Sequence, residues 1–167
     1  MPRVAILMGS DSDLPALRPV FDTLTELGVG FEAHVHSAHR TPDEAAAFAA
    51  TARQVGFGVI IAAAGKAAHL AGAIAARTNL PVIGLPLRAG ELDGLDALLS
   101  TVQMPPGFPV ATVAINGAVN AALLAAQILA VADLGLSARL DARRAAQRAG
   151  VLAKDAALQA ELKGTDA

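Results

Sequence analysis

"GVIIAAAG", residues 58–65, is a continuous apolar run closed by a glycine. With no polar alternation, it suits a strand buried on both faces, as in a parallel sheet sandwiched between helices. Three other stretches read the same way: "RVAILMG" (3–9), "PVIGLPL" (81–87) and "VATVAI" (110–115). "FEAHVH" (31–36) differs, because Phe31, Ala33 and Val35 alternate with Glu32, His34 and His36. Alternation of that kind predicts an edge strand, wet or subunit-facing on one side.

Helical patterns separate these runs. Leu14, Leu17, Phe21, Leu24 and Leu27 form one stripe closed by Gly28, and Pro19 inside it should bend the first turns or delay the start. Thr41, Pro42 and Glu44 read as N-cap, first helical residue and capping-box partner of a helix over 42–55, ending at Gly56. Further helices are expected over 67–78, 93–102 and 117–132, with a proline-rich loop at 103–109. From 137 the chain turns charged and helical, with Leu140, Leu152, Leu158 and Leu162 as scattered apolar points. The expected organisation is an α/β domain over 1–132 and a C-terminal helical tail over 133–167 that packs in an oligomer.

Five strand–helix alternations predict an α/β fold of flavodoxin-like type. The expectation is a three-layer α/β/α sandwich on a five-stranded parallel sheet of order 2-1-3-4-5, with a C-terminal helical extension. That order opens a crevice between strands 1 and 3, where the loops after strands 1, 2 and 3 leave the same edge.

Composition narrows the class. Of 167 residues, 54% are hydrophobic and 17% charged, an apolar excess that calls for a membrane or for burial between subunits. The longest apolar stretch, "AALLAAQILAVA" (121–132), is interrupted by Gln127 and too short for a bilayer, which favours an oligomer. A net charge of −2, 3% aromatic residues and no Trp or Tyr argue against a nucleic-acid partner. The absence of cysteine excludes disulfides, thiolate catalysis and cysteine-ligated zinc. Met1-Pro2-Arg3 leads straight into a strand without a signal peptide, so a cytoplasmic protein with no membrane partner is expected.

Polar residues gather at the three crevice loops: "GSDSD" (9–13), "SAHR" (37–40) and "AAGKAAH" (63–69). In the first, Gly9 permits a tight turn and Ser10, Ser12 and Asp13 stand beside a helix start, fit either to cap it or to hold an anion. In the second, Ser37 precedes His39, a proton carrier near neutral pH, and Arg40, a planar cation suited to phosphate or to a surface ion pair. In the third, Gly65 precedes a helix opening near Ala67 with His69 in its first turn, where an imidazole tends to stay neutral. Lys66 is a second cation at the crevice or a solvent-facing side chain. His34, His36 and Glu32 could form a metal site, but a polar strand edge accounts for them better. No nucleotide-fold glycine fingerprint, Walker lysine or metal cluster is present, so no cofactor and no metal is expected. These residues point to a pocket for a phosphorylated small molecule with one acid–base histidine.

"MGSDSD", "SAHRTPDE", "AGKAAHLAG", "PVIGLP", "GLDALLSTVQMPPGFPVAT" and "NAALLAAQILA" together resemble the catalytic subunit of the purine-pathway carboxylase, the N5-carboxyaminoimidazole ribonucleotide mutase family. The likeness runs in order from residue 3 to 132. It implies conversion of N5-carboxyaminoimidazole ribonucleotide to 4-carboxy-5-aminoimidazole ribonucleotide, without cofactor, in a homo-octamer. It further implies Ser10 and Arg40 at the substrate's phosphate, Asp13 at the ribose, His39 as proton carrier, and His69 with the Gly65 loop at the base and carboxylate. A direct carboxylase using carbon dioxide and a non-catalytic nucleotide-binding relative are the alternatives. The related loop usually reads Gly-Ala-Gly-Gly-Ala-Ala-His-Leu-Pro-Gly. Here Ala63 and Lys66 stand at two of its glycines and Ala71 at its proline, changes that could crowd the ligand or loosen the loop.

Overall fold

The computed structural model describes residues 2–165. Five strands, β1 (Arg3–Met8), β2 (Phe31–Val35), β3 (Phe57–Gly65), β4 (Val82–Leu87) and β5 (Ala111–Thr112), form one sheet of order β2-β1-β3-β4-β5. Every pairing is parallel. The connecting helices are α1 (Leu14–Glu26), α2 (Pro42–Thr51), α3 (Leu70–Ala75) and α4 (Leu95–Val102), followed by α5 (Ala118–Ala130) and α6 (Leu134–Thr165).

Strand periodicity divides the core in two. Val4, Ile6 and Met8 of β1 join Val59, Ile61, Ile83 and Leu85 against α1 and α5. Ala5 and Leu7 join Ile60, Ala62 and Val82 against α2 and α3. The sheet is thus covered on both faces, as its uninterrupted apolar strands require. Helix α5 is also covered within the chain, by α1, by the sheet and by the start of α6, so its all-round apolarity does not by itself need a second subunit.

Local details depart from the sequence expectations for definable reasons. Helix α1 starts at Leu14 and continues through Pro19, which neither delays nor ends it. Pro19 removes the i→i−4 bond to the Pro15 carbonyl, and α1 continues across that loss with Leu17, Val20 and Leu24 buried on its inner face. Thr41 sits at the α2 N-cap without a capping bond; its hydroxyl instead accepts the Ser37 N–H at 2.8 Å and donates to the Ser37 carbonyl at 3.2 Å. The capping box with Glu44 therefore does not form, because Thr41 closes the preceding loop. Helix α2 stops at Thr51, and residues 52–56 tighten into turns that end at Gly56, φ +93°.

Strand β2 reverses the expected faces. Ala33 and Val35 are exposed, while His34 and His36 stack on each other and lie under Phe48 of α2. Burial and the neighbouring His34 push the His36 imidazole below its ordinary pKa, against the pull of Glu44. Strand β5 is two residues long rather than six. Val113 still donates to Gly84, but the next residue of β4 that should present an N–H to β5 is Pro86. The chain then turns at Asn116, φ +55°, whose N–H bonds the Pro86 carbonyl.

Helix α6 is a single 32-residue helix whose first turns dock on the body. Leu136 is fully buried, Arg139 donates to the Leu27 carbonyl at the end of α1, and Arg143 pairs with Glu26. Beyond that, Val151, Leu152, Leu158 and Leu162 are exposed.

Candidate active site

The loops after β1, β2 and β3 meet at the crevice between β1 and β3, where the strand order reverses. They enclose a cleft of about 460 Å³ lined by Ser10, Asp13, Ser37, His39, Arg40, Gly65 and His69, the seven residues singled out in the sequence. Ser12, Lys66 and Ala89 are also among its walls.

The first loop builds itself around Ser10. Its hydroxyl caps a 3-10 turn, Asp11–Asp13, by accepting the Ser12 N–H, and the Asp13 carboxylate accepts the Ser10 N–H at 3.1 Å. Both capping and cleft-lining are thus true of these side chains. Burial raises the Asp13 carboxyl above its ordinary pKa; the Ser10 N–H and the Arg40 charge only partly offset it.

The second loop is organised by Ser37. Its buried hydroxyl accepts the backbone N–H of His39 at 3.4 Å and that of Arg40 at 3.2 Å. Ser37 therefore shapes the loop more than it offers a free hydroxyl to a ligand. Arg40 reaches across to β1 and donates to the Gly9 carbonyl at 2.8 Å, tying the second loop to the first.

The third loop carries His69, which is the N-cap of α3 rather than a first-turn residue, because α3 begins only at Leu70. Its Nδ1 lies 2.7 Å from Nε2 of His39, with the rings edge-to-face. One ring presents a lone pair and the other an N–H, so the pair can pass a proton between two loops. Sequence reading missed Ser100 of α4. Its hydroxyl accepts the N–H of buried Ala68 at 2.9 Å and donates to the Asp96 carbonyl at 2.7 Å, anchoring the loop from below. A serine within the otherwise apolar helix "LDALLSTV" was the available signal. Ala63 does not reach the cleft; it is fully buried in β3, so its methyl crowds no ligand. Ala71 is likewise buried, in α3.

Among the described residues, no group of three or more His, Cys, Asp or Glu is placed to hold a metal ion. None of their helices is long and apolar enough to cross a membrane.

Residues 3–150 match the family model described as AIR carboxylase. The chain belongs to the AIR carboxylase family. An N5-carboxyaminoimidazole ribonucleotide mutase of Brucella melitensis is 57% identical over 150 residues, 89% of this chain and 93% of that one. The protein of the same name from Bacillus subtilis is 56% identical over 145 residues, 86% of this chain and 90% of that one. Among solved structures, Treponema denticola PurE superposes with a TM-score of 0.84 at 25% identity, over 93% of this chain and 98% of that one. Within the AIR carboxylase family, then, the likeness spans both the sheet and the three loops that form the cleft.

Proposed function

We propose that this chain is an N5-carboxyaminoimidazole ribonucleotide mutase that moves a carboxyl group from the exocyclic nitrogen of its substrate to the adjacent ring carbon, in purine biosynthesis. The observation that carries this reading is the His39–His69 pair, two imidazoles 2.7 Å apart at the rim of a cleft that also holds Ser10, Asp13 and Arg40.

The reaction needs little else. The N–C bond breaks and releases carbon dioxide, the nitrogen takes up a proton, the ring carbon attacks the carbon dioxide, and that carbon then loses its proton. The net change is one carboxyl group moved from nitrogen to carbon and one proton moved from carbon to nitrogen, with no electron gained or lost. His39 both gives and takes that proton, with His69 holding its ring and sharing the proton through the short contact. Ser10, Ser12 and Arg40 hold the phosphate end and Asp13 the ribose hydroxyls, while the Gly65–His69 loop lies along the base.

A trapped carbon dioxide needs a covered site, and His39, Arg40, Lys66 and His69 are all exposed in the single chain. The cover comes from neighbouring copies in a homo-octamer. The exposed Val35, Leu95, Leu99 and Val102, together with the outer half of α6 in the 133–167 tail, form the surfaces between them. As an enzyme of purine biosynthesis without a membrane partner, it works in the cytoplasm.

The deciding experiment incubates the chain with the N-carboxylated ribonucleotide, without ATP or bicarbonate, and follows the ring-carboxylated product. Isomerisation supports the mutase. Turnover only of the uncarboxylated ribonucleotide with bicarbonate makes it a direct carboxylase. Binding without turnover makes it a nucleotide sensor.

A further inference from the structure

The Lys66 backbone carbonyl accepts a long hydrogen bond from the Ser100 hydroxyl, but the lysine side chain takes no part in the bonding that builds the site. Lys66 follows Gly65 with φ +55°, a left-handed backbone conformation that a side-chain-bearing residue adopts at a cost. Its stem runs from the β3 loop across to the β4 loop and lies on Gly90. A methyl placed on Gly90 would stand 3.8, 4.0 and 3.3 Å from Cγ, Cδ and Cε of Lys66. Gly90 is itself left-handed, φ +74°, a conformation glycine adopts freely, and its missing side chain leaves the trough in which the lysine stem lies. Among the described residues no carboxylate lies within ion-pair distance of its ammonium.

The other cleft cation is differently placed. Arg40 lies on the β1/β2 side and spends a donor on Gly9. Lys66 lies on the β3/β4 side, across the strand-order reversal, and His39 and His69 meet between these two sides. A cleft with a cation at each end and a proton-transferring pair between suits a ligand with two separated anionic groups.

We propose that Lys66 is a specificity-determining residue that binds the carboxylate of the carboxylated ribonucleotide, while Arg40 and the serine loop take the phosphate. This rests on the mutase reading and adds to it the group that distinguishes carboxylated from uncarboxylated ligand. Holding the stem in the Gly90 trough reduces the freedom the ammonium loses on binding, so its charge is delivered at one place.

The test compares two ribonucleotides that differ only by the carboxylate, 4-carboxy-5-aminoimidazole ribonucleotide and 5-aminoimidazole ribonucleotide. Their dissociation constants are measured by calorimetry on the full chain. Lys66→Met should weaken the carboxylated ligand about tenfold or more and change the uncarboxylated one less than about twofold, and Lys66→Arg should restore most of the difference. Lys66→Gly should show the same loss of discrimination with a higher thermal midpoint, since glycine accepts the left-handed conformation. If Lys66→Met and Lys66→Gly weaken both ligands equally, or neither, Lys66 does not read the carboxylate and the mutase reading survives alone. A wild-type chain that binds neither ribonucleotide overturns both.

Discussion

His39 and His69, 30 residues apart in the chain, share a 2.7 Å contact between Nε2 and Nδ1 across the cleft. Neither loop creates that contact locally. It exists because β1 separates the strands that carry the two loops by a single position in the sheet. The pair makes His39 the first residue to remove. His39→Asn keeps polarity and size but cannot carry a proton, so turnover should fall about 10²–10⁴-fold with ligand affinity largely kept. Single-turnover assays beside equilibrium binding check this, and unchanged turnover removes His39 from the mechanism.

Asp13 should trade stability for function. Its carboxyl titrates above the unfolded value of 3.8, so at neutral pH the ionised, partly buried group is a standing penalty on the fold. That penalty develops as pH rises from 3.8 through the folded value. Asp13→Asn retains an acceptor for the Ser10 N–H, so the thermal midpoint at pH 7 should rise while ribonucleotide affinity falls. Paired melting and binding curves would show both, and a lower midpoint would contradict the assignment.

Gly65 has no room for a side chain. A Cβ there would stand 2.7 Å from the Ala89 Cβ and 3.3 Å from the Leu87 carbonyl oxygen. Gly65→Ala should cost about 1–3 kcal/mol by forcing the β3 and β4 loops apart. It should also weaken ligand binding, because Lys66 and Ala89 shift with it. Denaturant unfolding measures the first effect and calorimetry the second.

Ser100 touches no part of the cleft surface, yet Ser100→Ala strands the buried Ala68 N–H, a loss of about 1–3 kcal/mol. Because Ala68 precedes His69, turnover should fall with it. Ser100→Thr, which keeps the hydroxyl, should recover most of the activity; if it does not, helix packing rather than the hydroxyl holds the loop.

His36 sets an acid limit on stability. Its folded pKa lies below the unfolded 6.5, so the unfolded chain gains a proton first as pH falls. Stability should therefore be full above about pH 6.5 and decline below it until the folded pKa is passed. His34 opposes and Glu44 favours protonation from the facing side chains, so both shape the window. His36→Gln should flatten the stability profile across it, and an unchanged slope in urea titrations from pH 7 to 5 would refute the assignment.

Much of this molecule was legible in one dimension. The apolar runs at 3–9, 58–65 and 81–87 are strands, their parallel order follows from the intervening helices, and the polar loops fall at the reversal of that order. Where the reading failed, a distant partner overrode a local preference. Thr41 closes on Ser37 instead of capping α2, Phe48 covers the histidine face of β2, and Pro86 cuts β5 short.

By itself the sequence determined which segments are strands and helices, and that three polar loops share one end of the sheet. Those properties depend on periodicity and connection length, which are local. Only the tertiary structure decided that His39 meets His69, that Arg40 is tied to Gly9, that Ser100 supports Ala68 and that Lys66 lies on Gly90. Each of those contacts joins residues far apart in the chain. Its geometry is set by strand order and close packing to within tenths of an ångström, which no local pattern of residue types encodes.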